Sequence, residues 1–218
     1  MPGPSKSAVS IERRTSKKKA HTLAKSSTEK PFLSDVIALR DRARQHLESG
    51  AVTPAYKGDV SKAIDVLQTV LATEIVCVLR YTQHSIAASG ISSQAVKKEF
   101  AEHAKEEHGH ALAVAERITQ LGGVPNFNPK GLSSRSASQF VAGVNLVDMI
   151  RENLIAERIA VEHYRELVRY FGDDDPTTRV MLEGILGVEE DHADEMRDLL
   201  EAHEGVPMLH DAGSAGPC

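Results

Sequence analysis

Four stretches of this chain carry apolar residues at spacings of three and four, and each has a glutamate in the middle of its apolar stripe. Leu67, Leu71, Glu74, Val78 and Tyr81 share one face; Phe100, Ala104, Glu107, Ala111, Val114, Ile118 and Leu121 share another. The third stripe reads Val147, Ile150, Leu154, Glu157, Val161, Tyr164, Val168, and the fourth Leu182, Ile185, Glu189, His192, Met196, Leu199. That period is helical, and side chains so spaced point one way. An ionised carboxylate on a core face is costly unless it is paired or binds a metal. A chain with one such carboxylate in each of four seams either gathers them around cations or turns each one to water or to an arginine.

The spacing beyond the glutamates favours cations. Glu107 and Glu189 are each followed three residues later by a histidine, His110 and His192, whereas Glu74 and Glu157 stand alone. Glu, Glu-x-x-His, Glu, Glu-x-x-His on the inward faces of four helices is a recurrent recipe for a carboxylate-bridged di-metal centre in a bundle. Oxygen and imidazole ligands suit iron or manganese, and bridging carboxylates hold two cations close while offsetting their charge. Six ligands leave coordination positions free for oxygen or peroxide. The order also repeats: Glu74 to Glu107 is 33 residues and Glu157 to Glu189 is 32. Duplicated hairpins of this kind give a site with approximate two-fold symmetry.

The rest of the chain fits an all-α fold. Hydrophobic residues make up 41% of the 218, but aromatics only 4%, with no Trp. That balance suits helices better than a β-sandwich. Helices are predicted over about 59–89, 93–121, 137–170 and 177–203, a four-helix bundle within residues 58–204. The links around Gly90 and over Gly172–Pro176 are short hairpins. Gly122–Ala137 is a crossover of about sixteen residues; at about 3.3 Å each it reaches on the order of 50 Å. A thirty-residue helix is about 45 Å long, so this crossover spans the bundle. Before the bundle, residues 34–57 read as a short helix from Ser34 to Ser49, with Val36, Leu39, Ala43 and Leu47 as a thin stripe, and a linker. After it, 205–218 read as a flexible tail.

Residues 1–33 read as a disordered arm, rich in Ser, Lys, Pro and Thr. Residues 1–31 carry a net charge of +6, while the remainder carries −11. Such an arm either anchors polyanions such as DNA weakly or only keeps an assembly in solution. The N-terminus lacks the apolar core of a secretory signal, and no apolar run approaches a membrane span. Cys77 and Cys218 do not make a disulfide framework, which fits a reducing cytoplasm.

The segments Glu74-Ile-Val-Cys-Val-Leu-Arg-Tyr81-Thr-Gln-His84, Glu107-His-Gly-His110, Leu154-Ile-Ala-Glu157 and Glu189-Glu-Asp-His192 resemble the four helices of bacterioferritins, over about residues 58–204. The resemblance implies a ferritin-like fold and an iron-oxidising centre with two iron ions per subunit, oxygen or hydrogen peroxide as oxidant, and a homo-oligomeric shell. It implies bridging by Glu107 and Glu189, terminal ligation by Glu74 and Glu157, and one histidine, His110 or His192, on each metal. Tyr81 matches a tyrosine beside that centre that supplies an electron, although a seam aromatic filling the core reads equally well. His84 is expected to be a surface residue or to lie behind the ligands. The haem-ligating methionine of that family is His108 here, so little or no haem is expected. The family's fifth helix is missing, which favours twelve subunits over twenty-four. The basic arm is instead similar to those of Dps-type mini-ferritins, some of which bind DNA.

Three functions compete on these residues: iron storage and detoxification by Fe(II) oxidation, another enzyme on the same ligands such as a manganese catalase or diiron oxidase, and DNA compaction through the arm. Rubrerythrin chemistry is disfavoured, since no Cys-x-x-Cys pair is present.

Overall fold

The computed structural model describes residues 35–90 and 93–204, together with Gly3. The bundle and its buried centre belong to the unit Val36–Cys218. The basic arm, the C-terminal tail and Cys218 lie outside the described residues.

Four long helices form the body: α2 (Val60–Ala87), α3 (Ser93–Gln120), α5 (Leu146–Phe171) and α6 (Pro176–Glu204). No strand occurs among the described residues. Three of the four starts have a local cause. Asp59 caps α2 by accepting the Lys62 N–H at 3.0 Å. Asn145 caps α5 through the Asp148 N–H, also at 3.0 Å. Pro176 opens α6, where a missing N–H costs nothing, and Asp175 accepts the Thr178 N–H at 3.0 Å. That Asp175 is also held by Arg117, whose Nη2 donates to it at 2.9 Å, so the start of α6 is tied to the end of α3.

Helices α2 and α3 pack as one hairpin and α5 and α6 as another. Besides a small cluster of Ala72, Val76 and Leu132, the apolar core falls into two clusters along the bundle. One holds Leu67, Leu71, Val114, Ile118, Leu182 and Ile185; the other holds Val96, Phe100, Ile150, Met196 and Leu200. Burying each of these large side chains contributes about 1.5–3 kcal/mol, enough to seat a polar layer between them. The glutamate of every seam falls between its two clusters.

Three sequence expectations need correction. The early helix is shorter than Ser34–Ser49: α1 runs Val36–Ala43, His46 turns left-handed at φ 52°, and a 3-10 turn covers Leu47–Ser49. Its stripe is uncovered, with Val36 57%, Leu39 49% and Leu47 76% exposed, and a two-turn helix without burial does not propagate. Val78 is only partly buried, and Cys77 takes the inward position. The crossover is longer than sixteen residues, because the third long helix starts at Leu146 rather than near Ala137.

The side chains of α2 keep that stretch extended. Gln68 holds the Val124 carbonyl and the Asn126 N–H at 2.7 and 2.9 Å. Further along, Thr73 Oγ1 accepts the Ala137 N–H, Arg80 donates to Ser138 Oγ and the Gln139 carbonyl, and His84 Nε2 lies 3.1 Å from the Val141 carbonyl. One helical turn, α4 (Leu132–Arg135), interrupts the crossover. Gly143, at φ +67°, ends it where a Cβ would come within 2.8 Å of Met149 Cγ.

Candidate metal centre

The four seam glutamates converge between the hairpins. Glu74, Glu107, Glu157 and Glu189 are at most 1% exposed and come from α2, α3, α5 and α6 in turn. His110 and His192 join them, so the six residues read as ligands from the sequence all meet in one buried layer. One ligand-type atom each from Glu74, Glu107, His110 and Glu189 lie within 4.8 Å of one another, and the same holds for Glu107, Glu157, Glu189 and His192. Glu107 and Glu189 belong to both groups.

Their orientation follows the same division. His110 Nδ1 lies 3.0 Å from Glu189 Oε1, 3.5 Å from Glu74 Oε2 and 3.6 Å from Glu107 Oε2. His192 Nδ1 lies 3.4 Å from Glu107 Oε1 and 3.8 Å from Glu189 Oε2. Each shared carboxylate thus turns one oxygen toward each histidine. The two unshared carboxylates are fixed from behind: Tyr81 donates to Glu157 Oε1 at 2.5 Å, and Tyr164 donates to Glu74 Oε1 at 2.6 Å. Tyr81 is therefore bonded to the layer and is more than a packing aromatic.

The inward atoms face one another but make no hydrogen bond. Glu74 Oε2, Glu157 Oε2, both oxygens of Glu107 and of Glu189, and Nδ1 of His110 and His192 are buried without a hydrogen bond. Buried polar atoms are normally satisfied, and carboxylate oxygens and imidazole nitrogens left without hydrogen bonds so close together could hold metal, their chemistry suiting iron or manganese.

Without cations, protons settle the charge. Burial, reinforced by Glu107, pushes the Glu74 carboxyl well above the usual range, and burial with Glu107 and Glu189 does the same to Glu157. Burial acts the same way on Glu107, but contacts with His110 and His192 overcome it and hold Glu107 low. Glu189 is likewise held below its usual value against burial and Glu107, through the same histidines. For His110, burial opposes the charge but Glu107, Glu189 and Glu74 raise it to about 12; His192 reaches about 11 through Glu107 and Glu189.

Several residues around the layer escaped the sequence reading. Tyr164 was visible only as a seam residue, although Glu157–Tyr164 repeats the seven-residue step of Glu74–Tyr81. His103, one turn before Glu107, is buried and stacks on His192 with ring centroids 3.9 Å apart. Its Nδ1 lies 3.1 Å from Tyr81 Oη and its Nε2 lies 2.8 Å from Glu195. Glu106 sits 2.8 Å from His192 Nε2, orienting that ring from the outside. Arg80 is fully buried, with Nη2 3.9 Å from Glu157 Oε1. His84 is buried on the crossover side and takes no place among the inward atoms, and His108 is exposed.

The family model for the ferritin-like domain matches residues 64–206. The DNA protection during starvation protein of Pyrococcus furiosus is 28% identical over 157 residues, which cover 70% of this chain and 82% of that one. Among solved structures, the bacterioferritin-related protein from Bacteroides fragilis, described as a dodecameric thioferritin, superposes with a TM-score of 0.65. It is 30% identical over 70% of this chain and 93% of its own. A ferritin-like diiron-carboxylate protein from Bacillus anthracis gives a TM-score of 0.59 at 26% identity, over 66% and 99%. The chain belongs to the ferritin-like domain family.

Proposed function

We propose that this member of the ferritin-like family oxidises Fe(II) to Fe(III) at an intrasubunit centre held by Glu74, Glu107, His110, Glu157, Glu189 and His192, and stores the ferric product inside a homo-oligomeric shell. The observation that carries the reading is the sharing of Glu107 and Glu189 between two four-residue groups, with one oxygen of each carboxylate facing each histidine. Glu107 and Glu189 would bridge two iron ions, Glu74 and Glu157 would each bind one through the oxygen left free by Tyr164 and Tyr81, and His110 and His192 would complete the set. Two Fe(II) substrates give up one electron each. Hydrogen peroxide, taking both electrons and two protons, becomes two waters; oxygen, taking the same, becomes peroxide. Tyr81, bonded to Glu157 and beside His103, would hold the Glu157 carboxylate in position for iron.

The shell reading is supported by the dodecameric state named for the Bacteroides relative, and twelve subunits are expected. Light scattering that finds only monomer or dimer in iron-loaded protein would remove the shell. The oxidation is tested by rapid-mixing absorbance of Fe(III) after two Fe(II) are added per chain. Glu107→Ala and Glu189→Ala should each slow the reaction more than Tyr81→Phe does; wild-type rates in both alanine variants would move the chemistry elsewhere.

A second reading is favoured by one observation, the likeness to the DNA-protecting protein of Pyrococcus furiosus, taken with a net charge of +6 on residues 1–31. In that reading the arm binds DNA by counterion release, with an affinity that falls steeply with salt. Unchanged DNA retention at low salt after deletion of residues 1–31 would remove the arm from that role.

A further inference from the structure

We propose that Arg80 makes the two metal positions unequal, so that a divalent cation fills the position of Glu74 and His110 first and that of Glu157 and His192 second. The inference rests on the dinuclear reading above.

The ligand atoms themselves repeat. Each unshared carboxylate gives Oε1 to a tyrosine and leaves Oε2 without a hydrogen bond. Each histidine stands three residues after a shared glutamate. The surroundings do not repeat. Arg80 follows Glu74 by six residues and reaches across to Glu157, with Nη2 3.9 Å from Oε1 and both side chains fully buried. The residue six after Glu157 is His163, which feels Glu166 and makes no hydrogen bond or ion pair with Glu74.

The hydrogen bonds of Arg80 go to neutral groups only: Asn153 Oδ1 at 2.8 Å, Ser138 Oγ at 3.0 Å, the Gln139 carbonyl at 3.2 Å and Cys77 Sγ at 3.6 Å. A guanidinium is always charged, so Arg80 sets a full positive charge beside Glu157. Among the described residues it has no other carboxylate within ion-pair distance. A divalent cation arriving beside Glu157 meets that charge in a water-poor interior; one arriving beside Glu74 does not.

One contact works the other way. Glu106 on His192 Nε2 makes that imidazole a stronger donor. The Glu106 side chain is 53% exposed and screened by solvent, whereas Arg80 is 0% exposed, so Arg80 dominates. The resulting preference is on the order of tenfold or more.

The test uses the full-length protein freed of metal and titrated with Co(II), followed by calorimetry and by the visible Co(II) absorption. Glu74→Gln should weaken the first binding step about tenfold or more, while Glu157→Gln leaves it within about threefold. In a site with equal positions, both variants lose only the statistical factor of about two. Adding Arg80→Met to Glu74→Gln should restore most of the lost affinity, and Arg80→Lys should not. If circular dichroism shows that Arg80→Met does not fold, the two glutamine variants still decide, since both keep Arg80. Equal weakening, or the reverse order, overturns the inference and leaves a two-metal centre standing. Uptake of fewer than two Co(II) per wild-type chain overturns both.

Discussion

Loading the centre with metal should expel about four protons per chain, two for each divalent cation. The number follows from the charges that the buried layer holds when only protons balance it. Burial and the neighbouring carboxylates raise Glu74 and Glu157 and so favour their protonated forms, whereas the histidines hold Glu107 and Glu189 low and favour their ionised forms. His110, raised to about 12, and His192, raised to about 11, are imidazolium ions. Geometry agrees for His192, whose Nε2 lies 2.8 Å from Glu106 and whose Nδ1 lies 3.4 Å from Glu107, so that a carboxylate faces each nitrogen. Two carboxylates against two imidazolium ions leave the six metal-free ligands neutral, with Arg80 as a constant positive charge beside them. Ligation needs four carboxylates and two neutral imidazoles, which two divalent cations again neutralise. Protons therefore compete with metal, and the affinity for the pair rises with pH as long as any of the four groups still holds its proton. Calorimetry of Zn(II) binding at pH 7 in buffers of different ionisation enthalpy counts the protons, and zinc avoids oxidation chemistry. Release of two protons or fewer per chain would refute the reasoning, since it would mean a metal-free centre already stripped of half its protons.

The same structure fixes three other outcomes. Arg117→Met leaves the buried Asp175 without its cation, and should cost about 3–5 kcal/mol in urea unfolding of the metal-free protein. Gly143→Ala places a Cβ against Met149 at a backbone angle that disfavours it, and should lower stability by about 1–3 kcal/mol with metal uptake retained. Protein produced with ample haem should show no Soret band, because His108 is exposed and bonded to nothing that would hold a porphyrin; a strong band lost in His108→Ala would contradict this.

The inward half of the centre was legible because periodicity reports which residues share a face. Four stripes of apolar residues demanded an explanation for four glutamates, and the three-residue step to His110 and His192 supplied it. Tyr164 was legible by the same logic and was passed over, since an aromatic in an apolar stripe raises no question until its symmetry mate is found to bond a carboxylate. His103 was less accessible. The corresponding residue in the other hairpin is Ile185, so the internal repeat points away from a polar role. What placed His103 was the ring of His192 from a different hairpin, a contact with no sequence signature.

The crossover shows how a second stripe on one helix can be misread. Residues 137–142 contain nothing that forbids a helix, and on propensity alone the third long helix extends back through them. They remain extended because Thr73, Cys77, Arg80 and His84, spaced by four, three and four along α2, form a polar stripe beside the core stripe that Glu74 and Tyr81 belong to. Three of those four residues bond the crossover directly, and the fourth accepts from Arg80. A polar stripe of that spacing, flanked by apolar residues, implies a buried partner rich in backbone groups, and an extended strap meets that need where a helix, with its carbonyls already bonded, does not. The strap in turn fixes the guanidinium of Arg80 within 3.9 Å of Glu157. The longer crossover and the unequal surroundings of the two candidate metal positions thus have one cause, the polar stripe of α2 that flanks its core stripe.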